Sequence, residues 1–467
     1  MKTLALVLLA SLCLGLRAVA VDGTTGKVAH FHHIVIIVQE NRTPDNLFGS
    51  NPTFEPRVDI ASFGQTSTGA TVPLLPAPLA SCWDVRHSHR AFRKAYNGGD
   101  MNGFDSEGIF QSSTCILQPG PPQYKYVDNS TGTVQPYFDI AKSYGWANRM
   151  FQTNEGPSFP AHQFIIGGTS APTPDSAYFA AEIPSISGGC TAPTNSLVAL
   201  ISPLGKEDSS TYPCLEHGTL TDLLDHARLT WKYYSPTTSW NAPIAIRHIC
   251  QPDVVKGVLK CTGSRYISDD IHPPPQVLTD IGTCQLANVV WVIPSEPYSD
   301  HAMGNNGTGP AWVASIVDAI GMQPTCPNGE TYWDDTAILI TWDDWGGWYD
   351  HVPPPKVVSD GTSWGSGYVY GFRVPLLVVS AFTDAGEVSD RVHDFGSLLR
   401  FVEVNFHLPL IGNRTYADAY ADDLMEFFPR KTRRRFAAIQ TSIGWPLKAG
   451  QFGTEKMVEP DNDGDEE

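Results

Sequence analysis

The sequence predicts an α/β protein: a central, mainly parallel sheet flanked by helices, with long loop insertions. Two observations carry this. Four short runs are aliphatic at nearly every position: Ile34–Val38, Val289–Ile293, Ala337–Thr341 and Leu376–Ser380. Such runs fit strands buried on both faces, as in parallel sheets covered by helices. Helical patterns lie between or after them, notably Leu220–Ala227, Pro310–Ile320 and Phe395–Asn405. Alternation of strands and helices implies parallel pairing.

The remaining segments follow in order. Residues 1–20 read as a secretory signal. Lys2 precedes an apolar run, Leu4 to Leu16, and Ala18-Val19-Ala20 supplies a small-x-small cleavage pattern. The run is short for a membrane span, so no stable membrane anchor is expected. A catalytic domain is expected over 21–445. The stretches Thr53–Pro136 and Ser170–Pro213 are rich in Gly, Pro, Ser and Thr, and are expected to build the rim of a site. The segment 446–467 ends in an acidic run and is expected to be disordered.

Eight cysteines follow Cys13: Cys82, Cys115, Cys190, Cys214, Cys250, Cys261, Cys284 and Cys326. An even number in an exported chain predicts disulfides, with Cys250 and Cys261 the readiest pair. No CxxC spacing points to a zinc-thiolate site. Net charge is −18 among 467 residues. Nucleic acid is excluded as a general partner, because phosphate backbones need a positive surface. The oligomeric state is left open.

The chemistry concentrates at three places. Gln39-Glu40-Asn41-Arg42 follows the first strand run, at the carboxyl edge where open α/β sheets bind ligands. Glu40 and Asn41 offer oxygen ligands suited to a hard divalent cation. Asp343-Asp344 follows the run Ala337–Thr341, and two carboxylates this close call for a compensating charge. Gly346-Gly347 just beyond permits a sharp turn. Ser158, in Gly156-Pro157-Ser158-Phe159-Pro160, is placed to cap a helix starting near Phe159. Pro160 rules out the nucleophile elbow of serine hydrolases. The basic run Arg430, Lys431, Arg433, Arg434 and Arg435 reads as a solvated helix face, and Asp350-His351 as a pair pinning its loop. Asn129, Asn306 and Asn413 sit in N-x-Ser/Thr patterns.

These stretches resemble the phosphoesterase family of bacterial-type phospholipases C and acid phosphatases, within the alkaline-phosphatase-like superfamily. The matching blocks are His33–Gly49, His87–Phe104, Gly156–Thr169, Thr219–Tyr234, Trp291–His301, Thr341–Pro355 and Gly371–Ser380. The resemblance implies an alkaline-phosphatase-like fold and a phosphate-ester substrate. It implies metal ligands at Glu40, Asn41, Ser158, Asp343 and Asp344, holding a divalent cation of open identity. Ser158 would be the nucleophile, His87 a histidine near the phosphate, and His301 the donor of a proton to the leaving group. Arg93 stands where many members have histidine, and would clamp phosphate. Asp344 replaces a usual Glu, Phe395 a common histidine, Pro44 a common Phe, and Ala161-His162 the usual Asn-Arg. The expected function is a secreted acid-phosphatase-like phosphomonoesterase acting through serine, because larger phospholipase members carry C-terminal β domains and this chain ends soon after the catalytic block. The alternative is a phospholipase C. A sulfatase is disfavoured because His162 stands where its maturation pattern needs Arg.

Overall fold

The seven residues of HIVIIVQ are buried throughout and form the central strand β1, His33–Gln39. In this computed structural model, residues 30–184, 188–236, 240–356, 370–412 and 416–439 are described. The signal-like segment, the acidic tail and Asn413 lie outside them. The other strands of the main sheet are β2 (Gly145–Ala147), β3 (Trp231–Tyr234), β4 (Asp270–Ile271), β5 (Val289–Val292), β6 (Thr336–Trp342), β7 (Leu376–Ser380) and β8 (Glu387–Ser389). Their spatial order is β4-β3-β5-β1-β6-β7-β2-β8.

β1 pairs in parallel with β5 on one side and β6 on the other. β3 is parallel to both β4 and β5, and β8 to β2. The expectation of parallel pairing fails for Leu376–Ser380, which runs antiparallel to both of its neighbours, β6 and β2. A strand buried on both faces shows the same apolar run in either direction, so its composition does not carry its polarity.

β1, β5, β6 and β7 are buried at every position, because helices flank the sheet. The helices used below are α1 (His89–Tyr96), α2 (Ser158–Gly167), α3 (Leu220–Ala227), α4 (Gly309–Met322) and α5 (Phe395–Phe406). α2 packs against α5 and α3, while α4 packs against helices Gln135–Ser143 and Gln276–Gly282. None of the described helices is long and apolar enough to cross a membrane. The basic run is not helical. Arg430 pairs with Asp384 and Arg433 with Asp335, so part of it fastens the chain's last described segment to the body.

The Gly/Pro-rich excursions form small two- and three-stranded sheets beside the main one. Four disulfides tie down loops: Cys82–Cys115, Cys190–Cys214, Cys250–Cys261 and Cys284–Cys326. The expected Cys250–Cys261 bridge closes the hairpin Pro252–Val255/Val258–Cys261.

Behind the carboxyl edge of the sheet lies a buried ionic knot. Arg373 donates to both oxygens of Asp350, at 2.8 and 2.9 Å, and to Asp45 at 3.3 Å. All three residues are fully buried. His351 bridges Asp45 and Asp59 at 2.8 and 2.9 Å. Asp350-His351 therefore pins its loop, as its sequence suggests. Burial pulls the His351 pKa down, but the hydrogen bond and charge of Asp45 more than offset this and raise it to about 9.

Arg373→Met leaves two buried carboxylates without their cation. It should cost about 3–5 kcal/mol in urea unfolding. The His351 knot gives a pH signature. Its folded pKa is raised from 6.5 to about 9, so its stabilisation is full below the unfolded value and lost as pH rises through the folded one. His351→Asn should therefore destabilise most below pH ~6.5 and least above pH ~9, read as the difference in unfolding midpoint from the parent across that range.

Candidate active site

The register of the central pair places the site. Gln39 lies opposite Trp342 at the end of β1 and β6. The chain then leaves both strands side by side, with Glu40-Asn41 next to Asp343-Asp344. All four are fully buried. The turn after Asp344 needs glycine. Gly346 has φ +61°, and a Cβ there would lie 2.3 Å from the Asn41 carbonyl oxygen. Gly347 has φ +75°, and its Cβ would meet Val85 at 2.4 Å.

Ser158 arrives from the connection after β2. It is the first residue of α2, and Pro157 occupies the cap. The expected capping role is thus corrected: the hydroxyl makes no cap hydrogen bond. It donates instead toward Glu40 Oε2 at 3.3 Å and Asp344 Oδ2 at 3.1 Å. The positive end of the α2 dipole points at the same place.

His87 and His301 complete the group. The His87 Nδ1 lies 2.7 Å from the Val85 carbonyl, and the His301 Nδ1 2.7 Å from the Ala302 carbonyl. A carbonyl only accepts, so each Nδ1 carries a hydrogen and each neutral ring presents a lone pair at Nε2. Those two atoms lie 2.9 and 3.2 Å from one end of the Asn41 amide. The other end of the amide lies 3.2 Å from both Glu40 Oε2 and Asp343 Oδ1. Neutral histidines call for the amide NH₂ group on their side. The amide oxygen then faces two carboxylate oxygens, which is favourable only with a cation among them. The reverse amide orientation closes the network without a cation, but needs both histidines to donate from Nε2.

Other features fit a cation. Asp343 Oδ1 accepts the N–H groups of Asn41 and Asp344, at 3.0 and 2.7 Å. Its Oδ2 is buried with no hydrogen-bond partner among the described residues. Burial, with Asp343 alongside, pushes the Asp344 carboxyl well above the usual carboxylate range. Glu40, Asn41, Ser158, Asp343 and Asp344 thus lie together, and their oxygens are of the kind that a hard or borderline divalent ion takes.

Arg93 is not brought to this cluster. α1 buries His89, Ala91, Phe92 and Ala95. Arg93 lies on the exposed face and donates to the Gly205 carbonyl. Two residues were missed as parts of the site. Arg42 is buried, donates to the Asp300 carbonyl at 2.8 Å and to the Leu79 carbonyl at 3.0 Å, and lies over the Trp348 ring. It fixes the loop that carries His301. His162 is also fully buried, its Nε2 3.2 Å from Glu40 Oε1. Burial lowers its pKa to about 4 against the raising effect of Asp343. Its signal in the sequence was the i, i+4 spacing from Ser158, which places both on one helix face.

An α/β protein built around a buried carboxylate, serine and histidine cluster, with the donors of a candidate metal centre, is the class that fold and site define. The chain belongs to the Phosphoesterase family, whose sequence model matches residues 31–409. It is 22% identical to hemolytic phospholipase C of Pseudomonas aeruginosa, over 88% of this chain and 58% of that protein. It is 23% identical to phospholipase C A of Mycobacterium tuberculosis, over 87% of this chain and 80% of that protein. A match to the non-hemolytic phospholipase C of Burkholderia pseudomallei, at 32% identity, spans 27% of this chain and 20% of that protein. Among solved structures, an alkaline phosphatase superfamily protein of Vibrio parahaemolyticus aligns over 85% of this chain and 72% of that one, with TM-score 0.34 and 10% identity.

Glu40→Ala and Asp343→Ala should each reduce bound divalent metal to background while far-UV circular dichroism stays close to the parent. Elemental analysis of the purified proteins checks this. Full metal content in either variant contradicts the assignment of these ligands.

Proposed function

We propose that this chain is a secreted, metal-dependent hydrolase of phosphate esters that acts through Ser158. The observation that carries the proposal is the Ser158 hydroxyl within 3.3 Å of two buried carboxylates, one of which, Glu40, lies 3.2 Å from an Asn41 amide whose other end is shared by the Nε2 atoms of two histidines. Family membership supports the ester class. The four disulfides and the signal-like N-terminal sequence support export.

The residues that would hold the metal are Glu40, Asn41, Ser158, Asp343 and Asp344. When bound, a divalent cation would supply positive charge that favours ionised serine and balances phosphoryl oxygens. The protein's own groups do the rest. Ser158 Oγ, reacting as the alkoxide after its proton has passed to water, attacks phosphorus, and the bond to the leaving oxygen breaks. His301, entering as the imidazolium with its Nδ1–H held by the Ala302 carbonyl, delivers a proton from Nε2 to that oxygen. His87, held by the Val85 carbonyl, lies near the phosphoryl group. Water then cleaves the phosphoserine, His301 takes its proton, and Ser158 leaves as the alkoxide. The Trp240 ring lies 5.8 Å from the His301 ring and shields one side of it.

Two substrate classes fit this chemistry. The sequence on its own favours phosphomonoesters of acid-phosphatase type. The names of the relatives favour the second class, the phosphodiester head groups of phospholipids. Turnover of p-nitrophenyl phosphate against p-nitrophenyl phosphorylcholine, with and without chelator, separates the two.

Ser158→Ala should lose turnover by roughly a thousandfold or more. Rapid quenching of the parent should trap labelled phosphate on Ser158. His301→Ala should slow esters with poor leaving groups by roughly 10²–10⁴ and nitrophenyl esters far less. Substantial activity in Ser158→Ala with no covalent adduct would point to direct attack by water.

A further inference from the structure

Three groupings of histidine and carboxylate among the described residues have the spacing of a cation site. Asp45, Asp350 and His351 already have their cation in Arg373. In the group His393, Asp422 and Glu426, His393 lies 3.1 Å from Glu426, and both carboxylates also pair with Arg391. The third, Glu40, His162 and Asp343, is wholly buried, and no arginine or lysine is paired with His162 or Asp343 among the described residues.

We infer that His162 supplies a nitrogen ligand, through Nε2, to the cation of the Glu40–Asp343 cluster, so that the centre is a mixed nitrogen–oxygen site. This rests on the metal-centre reading proposed above.

Position comes first. Ser158 and His162 are four residues apart on α2, so one helix face carries the nucleophile and the imidazole toward the strand ends. His162 Nε2 is 3.2 Å from Glu40 Oε1 and 3.7 Å from Asp343 Oδ2. All three ligand atoms lie within 4.8 Å of one another. Donors that share one ion at bond lengths of about 2.0–2.2 Å are separated by roughly 3–4 Å. The second observation is independent: Asp343 Oδ2 is buried and has no hydrogen-bond partner among the described residues. It faces the same point as the imidazole.

The outer contacts admit the tautomer that a ligand needs. His162 Nδ1 lies 3.4 Å from the Tyr233 hydroxyl, and that hydroxyl lies 3.4 Å from the Trp240 carbonyl. The carbonyl only accepts, so Tyr233 is the donor wherever that bond is made. The phenol oxygen then accepts from Nδ1–H, which leaves the Nε2 lone pair facing Glu40 and Asp343. Ligating histidines are held in this way, with the second ring nitrogen donating outward. A lone pair among carboxylate oxygens is repulsive on its own and attractive once a cation is shared. Imidazole among the ligands shifts preference from calcium and magnesium toward iron, cobalt, nickel and zinc.

The test uses the full chain, stripped of metal and reloaded separately with Co²⁺, Ca²⁺ and Mn²⁺. The parent, His162→Ala, Tyr233→Phe and Asp343→Ala are compared. The inference predicts that His162→Ala weakens Co²⁺ binding by roughly a hundredfold and Ca²⁺ binding much less. It predicts a nitrogen coupling in pulsed electron paramagnetic resonance of the Mn²⁺-loaded parent that disappears in His162→Ala. Tyr233→Phe keeps the ring, so it should keep the coupling and weaken Co²⁺ by a smaller factor. If His162→Ala does not fold, the parent spectrum and Tyr233→Phe decide. No nitrogen coupling in the parent, or the same coupling and Co²⁺ affinity in His162→Ala, overturns His162 as a ligand and leaves the oxygen centre standing. A parent that binds no ion stoichiometrically, as Asp343→Ala is expected to, overturns the metal-centre reading and this inference with it.

Discussion

Three carboxylates, Glu40, Asp343 and Asp344, are forced together with no solvent exposure where two neighbouring parallel strands end. Two unit charges 4 Å apart repel by about 4 kcal/mol even at an effective dielectric of 20. The surrounding structure is arranged around that repulsion. α2 brings its positive end, and two histidines bring rings whose outer nitrogens are fixed by backbone carbonyls. Among the described residues the two fully buried arginines are engaged elsewhere: Arg42 on the loop at Leu79 and Asp300, and Arg373 on Asp45 and Asp350. A cation among the carboxylates is the simplest charge balance.

A second layer keeps this geometry from relaxing. Asp300 accepts from the Tyr137 hydroxyl at 2.8 Å and the Trp342 indole at 3.0 Å, and its backbone carbonyl accepts from Arg42. Burial raises the Asp300 carboxyl to about 6, against the lowering effect of Arg42. One set of contacts therefore joins the end of β6, the turn after β1 and the loop bearing His301. Arg42 follows directly on Asn41, so the residue that anchors the His301 loop is set by the same short turn that presents the amide.

The sheet was legible because strand burial leaves a strong signature: Ile34–Val38 and Ala337–Thr341 read as strands and each proved one residue longer at both ends. The polar residues just beyond them were legible for the same reason, as abrupt exits from apolar runs. Polarity of Leu376–Ser380 was not legible, since an apolar run reads alike in both directions. Arg93 looked like a phosphate clamp in alignment with a family pattern, but the phase of α1 turns it outward. His162 was seen only as a departure from that pattern. Its place against Glu40 depends on α2 starting at Ser158 rather than one residue later, and helix boundaries are the weakest part of a sequence reading.

β1 has its two partners very late in the chain. Its neighbours begin at Val289 and Thr336, and the Asn41 N–H reaches Asp343 across 302 positions. At synthesis rates of about 5–20 residues per second, β1 waits roughly 15–60 s for the strand that completes its pairing. Through that interval a seven-residue aliphatic strand has both edges open, the situation in which chains aggregate. The nascent polypeptide must therefore be kept from self-association until its C-terminal third exists. Assembly of the centre is correspondingly a closing event of folding, because no shorter N-terminal fragment contains both halves of the carboxylate cluster.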